Sequence, residues 1–152
     1  MIVGCLLDNN MREIKRYAAA GGVVIHAGKL LVLERPGRKE MRLPKGHIDP
    51  GETAVVAALR ETTEESGYAD LNVVADLGSQ LTEFDHNDKH YIRTEFYFLM
   101  HLQSTQTLPR TAEDEAQFRV RWLPPEQAVE LLTFASEKFI AQKGIDAETN
   151  GE

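Results

Sequence analysis

Three carboxylates lie close together in the sequence, at Glu61, Glu64 and Glu65. If the surrounding segment is a helix, residues three and four apart lie on one face, so these side chains would be neighbours. Like charges held this close destabilise a helix by about 0.2–0.5 kcal/mol per pair. A divalent cation such as Mg²⁺ removes that cost, because hard cations bind carboxylate oxygens. The spacing therefore predicts a metal site, although a bare acidic helix face is more often simply solvated.

The residues around the glutamates predict a helix over Thr53–Ser66 with one apolar face. At about 100° per residue, five side chains point away from the acids: Val55, Ala58, Leu59, Thr62 and Ser66. Ala54 and Ala57 fall on the acidic face, where they are too small to block an ion. Gly67 can adopt the left-handed conformation that follows a helix end. These flanking residues favour a metal site over a solvated face.

A longer pattern encloses this helix. Gly46 is followed after five residues by Glu52 and after seven more by segment 60–68, which reads RETTEESGY. This pattern resembles the Nudix box, and each of its glycine, glutamate and arginine positions is matched. The departures fall at two aliphatic positions, occupied here by Thr62 and Tyr68. We expect a small packing cost there and no loss of chemistry.

The resemblance implies an α/β/α sandwich with a mixed β-sheet, in which the box forms a loop–helix–loop. It also implies one or more Mg²⁺ or Mn²⁺ ions, and the expected ligands are Glu61, Glu64, Glu65, the Gly46 carbonyl and Glu115. Glu52 and Arg60 are expected to pair and to set the geometry of the loop. The proton acceptor is left open between Glu61, Glu64 and an acid outside the box such as Glu115.

The segment before the box is basic, with five arginine and lysine residues between positions 35 and 45. Cations beside carboxylates suit a substrate in which metal and phosphate meet, because arginine and lysine bind phosphate oxygens. Arg42 and Lys45, next to the box, are predicted phosphate contacts. His47 could donate to a phosphate oxygen or cap the loop. For Arg38 and Lys39, phosphate binding and plain solvation are equally open.

The flanking sequence is similar to the dinucleoside polyphosphate (diadenosine tetraphosphate type) hydrolases within the Nudix family. Segment 43–52 reads LPKGHIDPGE, and an acidic pair at 114–115 precedes FRVRWL and PPEQAVELL. The likeness covers most of residues 21–140. That group carries a tyrosine after the box that stacks on a nucleobase, whereas this chain has Phe84 in that window. Phe84 is therefore either the stacking residue or a core residue at a strand end.

The resemblance implies a small nucleotide substrate, above all a dinucleoside polyphosphate such as diadenosine tetraphosphate, cleaved by attack of water on phosphorus. Nucleoside triphosphates, oxidised or ordinary, are alternatives, and inositol pyrophosphates would want more lysines than this segment supplies. The net charge of −7 argues against extended nucleic-acid binding. A Nudix domain that senses a nucleotide without turnover is a further alternative.

The length of 152 residues predicts a single domain over 1–152, with the box at 46–68 and a flexible tail at about 144–152. One cysteine, Cys5, fits a cytoplasmic protein without disulfides. The apolar start, Met1–Leu7, is too short for a membrane span and has no signal-peptide pattern, so no membrane partner is expected. A homodimer is left open.

Alternating apolar patterns predict the remaining elements. Strands are expected at Gly22–His26, Lys29–Glu34, Leu71–Leu77, Gln80–Phe84, His90–Leu102 and Phe118–Leu123. Arg35–Arg42 and Gln103–Glu115 read as polar loops. One closing helix is expected after Pro125, with Phe139 among its apolar contacts. Strands and helices are mixed along the chain, and several strands are expected to pair by hairpins. This arrangement predicts an α/β fold with a mixed sheet covered by helices.

Overall fold

The computed structural model describes residues 7–8 and 11–151. The strands are β1 (Glu13–His26), β2 (Lys29–Arg35), β3 (Glu40–Arg42), β4 (Lys45–His47), β5 (Leu71–His86), β6 (Lys89–Leu102) and β7 (Arg119–Leu123). The helices are α1 (Ala54–Ser66), α2 (Ala112–Gln117), α3 (Pro125–Leu131) and α4 (Ala135–Thr149). Cys5 and most of the apolar start lie outside the described residues. None of the described helices has the length and apolar composition needed to span a bilayer.

The strands form one mixed sheet in the order β3-β2-β1-β6-β5. β1 and β6 run parallel, while β5 pairs antiparallel with β6, and β2 with β1. The short strand β4 pairs with β1 as well, and β7 pairs with β2. β1 is therefore the strand on which the sheet is organised, and the predicted mixed sheet is confirmed.

Helices cover both faces of the sheet. On one face, Ala128 of α3 and Ile140 of α4 pack into a core that includes Val23 of β1. On the other face, α1 packs its alanines against Val24 and Met100. Adjacent strand residues point to opposite faces, which is why Val23 and Val24 belong to different cores. The predicted α/β/α sandwich is confirmed.

Helix α1 begins and ends as predicted. The Thr53 side chain accepts a hydrogen bond from Val56 N, and Gly67 has φ 87° at the other end. Ala57 differs from the expectation, because it is fully buried with Ala58 against the sheet rather than on an open acidic face. A helix packed on a sheet buries a face at least about 100° wide, so Ala57 and Ala58 both contact the core.

The expected packing cost at Thr62 has a visible cause. Thr62 occupies an aliphatic position of the box and is fully buried. Its Oγ1 has no hydrogen-bond partner among the described residues. A buried hydroxyl without a partner loses its hydration without compensation. Threonine in place of an aliphatic residue at position 62 therefore costs stability, and it leaves the acidic face of the helix unchanged.

Several strands are longer than the sequence predicted. β1 begins at Glu13 rather than Gly22, because its charged and alanine-rich first half pairs with β6. β5 runs unbroken from Leu71 to His86, with a register shift between Asp76 and Ser79 where two strands were expected. Within the predicted loop 35–42, residues 36–38 form a 3-10 turn and β3 follows. Pairing partners far along the chain decide these boundaries, and local sequence does not show them.

The prediction of one closing helix and a flexible tail is wrong. The chain forms two helices, and α4 continues to Thr149. Gly144, expected in the tail, is buried against Val23 and Leu77. Phe139, expected in the core, is 59% exposed. Between the two helices, Thr133 N donates to Met41 O of β3 and Thr133 Oγ1 accepts from Met41 N, so the chain leaves the helix there. Lys138 Nζ also donates to two carbonyls at the end of α3 and joins the helices.

This packing predicts that Gly144→Leu lowers the free energy of unfolding by about 1–3 kcal/mol, because a side chain there overpacks the core. A Cβ at this position would lie 2.7 Å from Val23 Cγ1. The measurement is urea unfolding followed by Trp122 fluorescence. Gln142→Leu, at an exposed position of the same helix, is the matched control. Equal midpoints for the two variants would contradict the packed helix.

Candidate active site

Arg60 compensates the negative charge around the box. Its guanidinium makes a bidentate contact with Glu52, with Nε and NH2 each 2.8 Å from a carboxylate oxygen. Its NH1 donates to Glu61 at 2.8 Å and to Glu64 at 3.3 Å, and NH2 also donates to the His47 carbonyl at 3.0 Å. The hydrogen bonds from Arg60 lower the pKa of Glu52 to about 2. The predicted pair of Glu52 and Arg60 is therefore present, and it ties α1 to the loop before it.

Gly46 lies directly against the carboxyl group of Glu61. A Cβ built on Gly46 would overlap that carboxyl group. Gly46 is in β4, so the sheet and the acidic face of α1 meet at this point. Burial is the main cause that raises the pKa of Glu61, and Arg60 opposes the rise. The glycine of the box is needed here for close approach of backbone to carboxylate.

Glu65 is held by the same strand. Its Oε1 accepts a hydrogen bond from Lys45 N at 2.9 Å. Burial raises the pKa of Glu65 to about 7, while the hydrogen bond from Lys45 and the charge of Arg42 act in the opposite direction. A carboxyl group removed from water in this way gains from a cation that replaces its lost hydration.

A cavity of about 490 Å³ opens beside these carboxylates, and we refer to it as the acid cavity. It is lined by acids and cations together: Glu61, Glu65 and Glu113 with Arg35, Arg42, Lys45 and Arg93. Gly46 and His47 also line it. Carboxylates suit a hard divalent cation, and arginines suit phosphate oxygens. The donor set of this cavity therefore fits a metal ion with a phosphorylated ligand.

The three box glutamates do not converge on one point. Among residues 7–8 and 11–151, the group of three ligand atoms lying within 4.8 Å of one another is formed by Asp8, Asp85 and His90. That group already holds a cation, since Arg12 lies 2.7 Å from both aspartates. Glu64 is 47% exposed and contacts Arg60. Glu61 and Glu65 are thus the box acids that share the acid cavity.

Helix α2 brings a further carboxylate to the acid cavity. It begins inside the predicted polar loop, where the Thr111 side chain accepts a hydrogen bond from Asp114 N. Glu115, the predicted ligand, pairs with Arg110 at 3.0 Å and lines a different cavity. Glu113 lines the acid cavity instead. Sequence reasoning missed Glu113 because it treated this segment as a loop, in which neighbouring positions have no fixed direction.

Three arginines line the acid cavity, Arg35, Arg42 and Arg93. Arg42 was predicted, and its Nε is buried without a hydrogen-bond partner among the described residues. Arg93 was not predicted. It lies on β6 two positions before the buried Glu95, so both side chains are on the same face of the strand. Two charged residues on a buried strand face are the signal that could have identified it. The Nε of Arg93 lies 2.6 Å from Glu95, and its NH1 donates to Tyr17 at 3.1 Å. Arg93 is therefore held in place before any ligand binds.

His47 and Lys45 have clear surroundings. The His47 ring stacks on Tyr17 with centroids 4.3 Å apart, and it lines the acid cavity. The ammonium group of Lys45 is buried and lies 3.2 Å from Glu137. Phosphate contact by either residue stays a prediction, and for Lys45 the ammonium already has a carboxylate partner.

A second cavity of about 520 Å³ adjoins the first, and we refer to it as the aromatic cavity. Phe84 and Phe134 line it together with Arg38. The Phe84 ring stacks on Tyr91 at 5.1 Å, and the guanidinium of Arg93 lies 4.9 Å from its centroid. Three residues line both cavities: Arg42, Lys45 and Arg93. Phe84 is thus a partly exposed residue at a cavity rather than part of either core.

The chain matches the model of the NUDIX domain over residues 15–143, and it belongs to the Nudix family. The predicted family and the predicted hydrolase activity on phosphoric anhydride bonds are confirmed. Members of this family generally act with divalent metal ions.

Relatives of known description support the same assignment. The mouse bis(5'-nucleosyl)-tetraphosphatase [asymmetrical] is 31% identical over 122 residues, which cover 76% of this chain and 76% of the mouse protein. A putative mutator protein MutT4 of Mycobacterium tuberculosis is 31% identical over 145 residues, covering 89% of this chain but 56% of that protein. The structure of a C. elegans Ap4A hydrolase binary complex has the same fold, with a TM-score of 0.68 and 24% identity. The match covers 90% of this chain and 99% of the C. elegans chain.

The contact of Gly46 with Glu61 predicts that Gly46→Ala displaces the carboxylate and weakens Mn²⁺ binding by about 100-fold. Isothermal titration calorimetry with Mn²⁺ measures the affinity, and circular dichroism checks the fold. Gly37→Ala is the matched control, because a Cβ there has no neighbour within 4 Å. Unchanged affinity in Gly46→Ala would contradict the proposed ligand role of Glu61.

The pair of Glu52 and Arg60 predicts a pH-dependent contribution to stability. The pKa of Glu52 falls from the ordinary 4.5 to about 2 in the folded protein. Ionised Glu52 therefore stabilises the fold fully above pH 4.5, and this contribution is lost as the pH falls towards 2. Urea unfolding of wild type and Glu52→Gln between pH 3 and 7 should show a difference that shrinks on acidification. Glu130→Gln, at an exposed position, controls for charge removal, and a difference independent of pH would refute the pair.

Proposed function

We propose that this chain is a metal-dependent pyrophosphohydrolase that cleaves dinucleoside polyphosphates such as diadenosine tetraphosphate. The observation that carries the proposal is the shared cationic wall between the acid cavity and the aromatic cavity. A dinucleoside polyphosphate has a long anionic chain with a flat base at each end. Arginines between an acidic site and a pair of aromatic rings match that shape and charge. The mouse relative, described as a tetraphosphatase, supports the same substrate class.

Glu61 and Glu65 are the proposed main ligands of the divalent ion, with the Gly46 carbonyl and Glu113 beside them. Glu64 and Glu115 also stay proposed ligands, although their present partners are Arg60 and Arg110. Mg²⁺ or Mn²⁺ is the proposed ion, since hard cations prefer oxygen ligands. When bound, it would neutralise phosphate charge and make a bound water more acidic.

The protein groups have separate proposed tasks. Arg42 and Arg93 would bind phosphate oxygens and hold the chain for in-line attack by water. His47 could donate a hydrogen bond to a phosphate oxygen from the wall of the acid cavity. The carboxylates of that cavity are the candidates for proton acceptor, because burial raises the pKa of Glu61 and Glu65. Phe84, with Phe134 in the same cavity, would stack on a base.

The other features of the chain follow as proposals from the sequence. A single domain over 1–152 and a cytoplasmic location belong to this group, and a homodimer stays open. Oxidised or ordinary nucleoside triphosphates are the alternative substrates, and inositol pyrophosphates and a non-catalytic nucleotide sensor are less favoured. The box is complete in its charged residues, which favours turnover over sensing.

The test is turnover of a substrate panel with Mg²⁺ and with EDTA. The panel contains diadenosine tetraphosphate, nucleoside triphosphates, ADP-ribose and an inositol pyrophosphate. We expect the highest kcat/KM for diadenosine tetraphosphate, with ATP and AMP as products and no activity in EDTA. A higher kcat/KM for a nucleoside triphosphate would refute the substrate class, and binding without any turnover would favour the sensor.

Glu65→Gln should lower metal-dependent kcat by about 100-fold or more, the cost of removing one charge-stabilising group from such a site. The fold should persist, because glutamine can still accept the hydrogen bond from Lys45 N. Steady-state kinetics measures the loss of kcat. Glu113→Gln, which removes the carboxylate that α2 contributes to the acid cavity, is measured beside it. Near-wild-type kcat in Glu65→Gln would exclude its proposed role.

A further inference from the structure

Glu137 of α4 binds the chain segment that precedes the box. Its Oε1 accepts a hydrogen bond from Leu43 N at 2.6 Å, and its Oε2 accepts one from Lys45 Nζ at 3.2 Å. The side chains of Glu137 and Lys45 are 2% and 4% exposed. One carboxylate from the far end of the chain therefore fixes this segment at two points, one on the backbone and one on a side chain.

The same segment contacts both glutamates of the acid cavity. Lys45 N donates to Glu65 at 2.9 Å, and Gly46 lies against the carboxyl group of Glu61. Residues 43–46 are thus held by α4 and in turn set the positions of two carboxylates on α1. A small displacement of this segment would shift two groups at once. These are Lys45 N, which donates to Glu65, and the backbone of Gly46, which lies next to Glu61.

Stability alone does not explain a buried ion pair at this position. Replacing such a pair with apolar residues of similar size is often neutral or stabilising, because both ions lose their hydration. An apolar side chain could not accept the hydrogen bond from Leu43 N. The pair is therefore suited to fixing the direction of the segment rather than to holding the helix on the sheet.

We propose that Glu137 is a positioning residue for the metal site. It acts through Leu43 N and Lys45, which keep segment 43–46 where Lys45 N orients Glu65 and Gly46 supports Glu61. The proposal rests on the proposed function, because it requires these two glutamates to bind the divalent ion. It also gives the Lys45 ammonium a structural task inside the protein.

Glu137→Gln tests this proposal, because the two donors use different carboxylate oxygens and the substitution replaces one of these oxygens with an NH2 group that cannot accept. We expect the affinity for Mn²⁺ without substrate to fall about tenfold or more, the usual effect of losing a group that orients a metal ligand. At saturating metal, kcat should fall with it, while KM for diadenosine tetraphosphate changes by less than about twofold. Titration calorimetry and steady-state kinetics on the full chain give the three values.

A second variant keeps the test usable if the unpaired lysine prevents folding. Glu137→Gln combined with Lys45→Met removes the buried charge and leaves an acceptor for Leu43 N. We expect this double variant to fold and to recover Mn²⁺ affinity relative to Glu137→Gln. Where only the double variant folds, it is compared with Glu137→Leu combined with Lys45→Met, which has no acceptor for Leu43 N. Mn²⁺ binding about tenfold weaker in the leucine variant supports the proposal, and equal affinities overturn it.

Lys138→Met is the matched control, since Lys138 is adjacent on α4 but bonds only to the end of α3 among its described partners. It should lower the thermal midpoint and leave Mn²⁺ affinity unchanged. A folded Glu137→Gln that binds Mn²⁺ like wild type overturns the positioning role. Failure of the proposed function looks different, because Glu65→Gln would then bind Mn²⁺ as tightly as wild type.

Discussion

The acidic face of α1 can exist only because cations and backbone donors compensate its charge. Arg60 contacts four carboxylates, those of Asp49, Glu52, Glu61 and Glu64, from one guanidinium. Lys45 N, on the neighbouring strand, serves Glu65. Because charge repulsion within the face is offset in these two ways, Glu61 and Glu65 stay close to β4, whereas Glu64 is partly exposed. The shape of the acid cavity depends on that junction of strand and helix.

The same junction connects the site to the rest of the fold. β4 pairs with the central strand β1, so the position of Gly46 is set by the sheet. Arg93 comes from β6, the parallel partner of β1, and faces both cavities. The proposed metal ligands Glu61 and Glu65 are therefore placed by α1 against β4, and the proposed phosphate contacts Arg42 and Arg93 are placed by β3 and β6. Elements of fixed geometry hold reacting groups more accurately than loops do.

The contacts between residues close together in sequence could be predicted from the sequence. The box predicted the helix, the glycine that ends it, and the contact of Arg60 with Glu52, since those depend on spacing within one helix and its entry loop. Glu113, Arg93 and Glu137 were not predicted as site residues, because they reach the site through pairings and packing between distant segments. The length of β1 and the end of α4 were missed for the same reason. Local patterns identify the chemistry, whereas tertiary contacts complete the cavity.

We infer that a divalent ion binds between Glu61, Glu65 and the backbone of Gly46. The most direct measurement is a crystal structure with Mn²⁺, in which anomalous scattering marks the ion independently of any assumed ligand. We expect the strongest peak at those three residues, with Arg60 still paired to Glu52. A strong peak only at Asp8, Asp85 and His90, with none in the acid cavity, would contradict it.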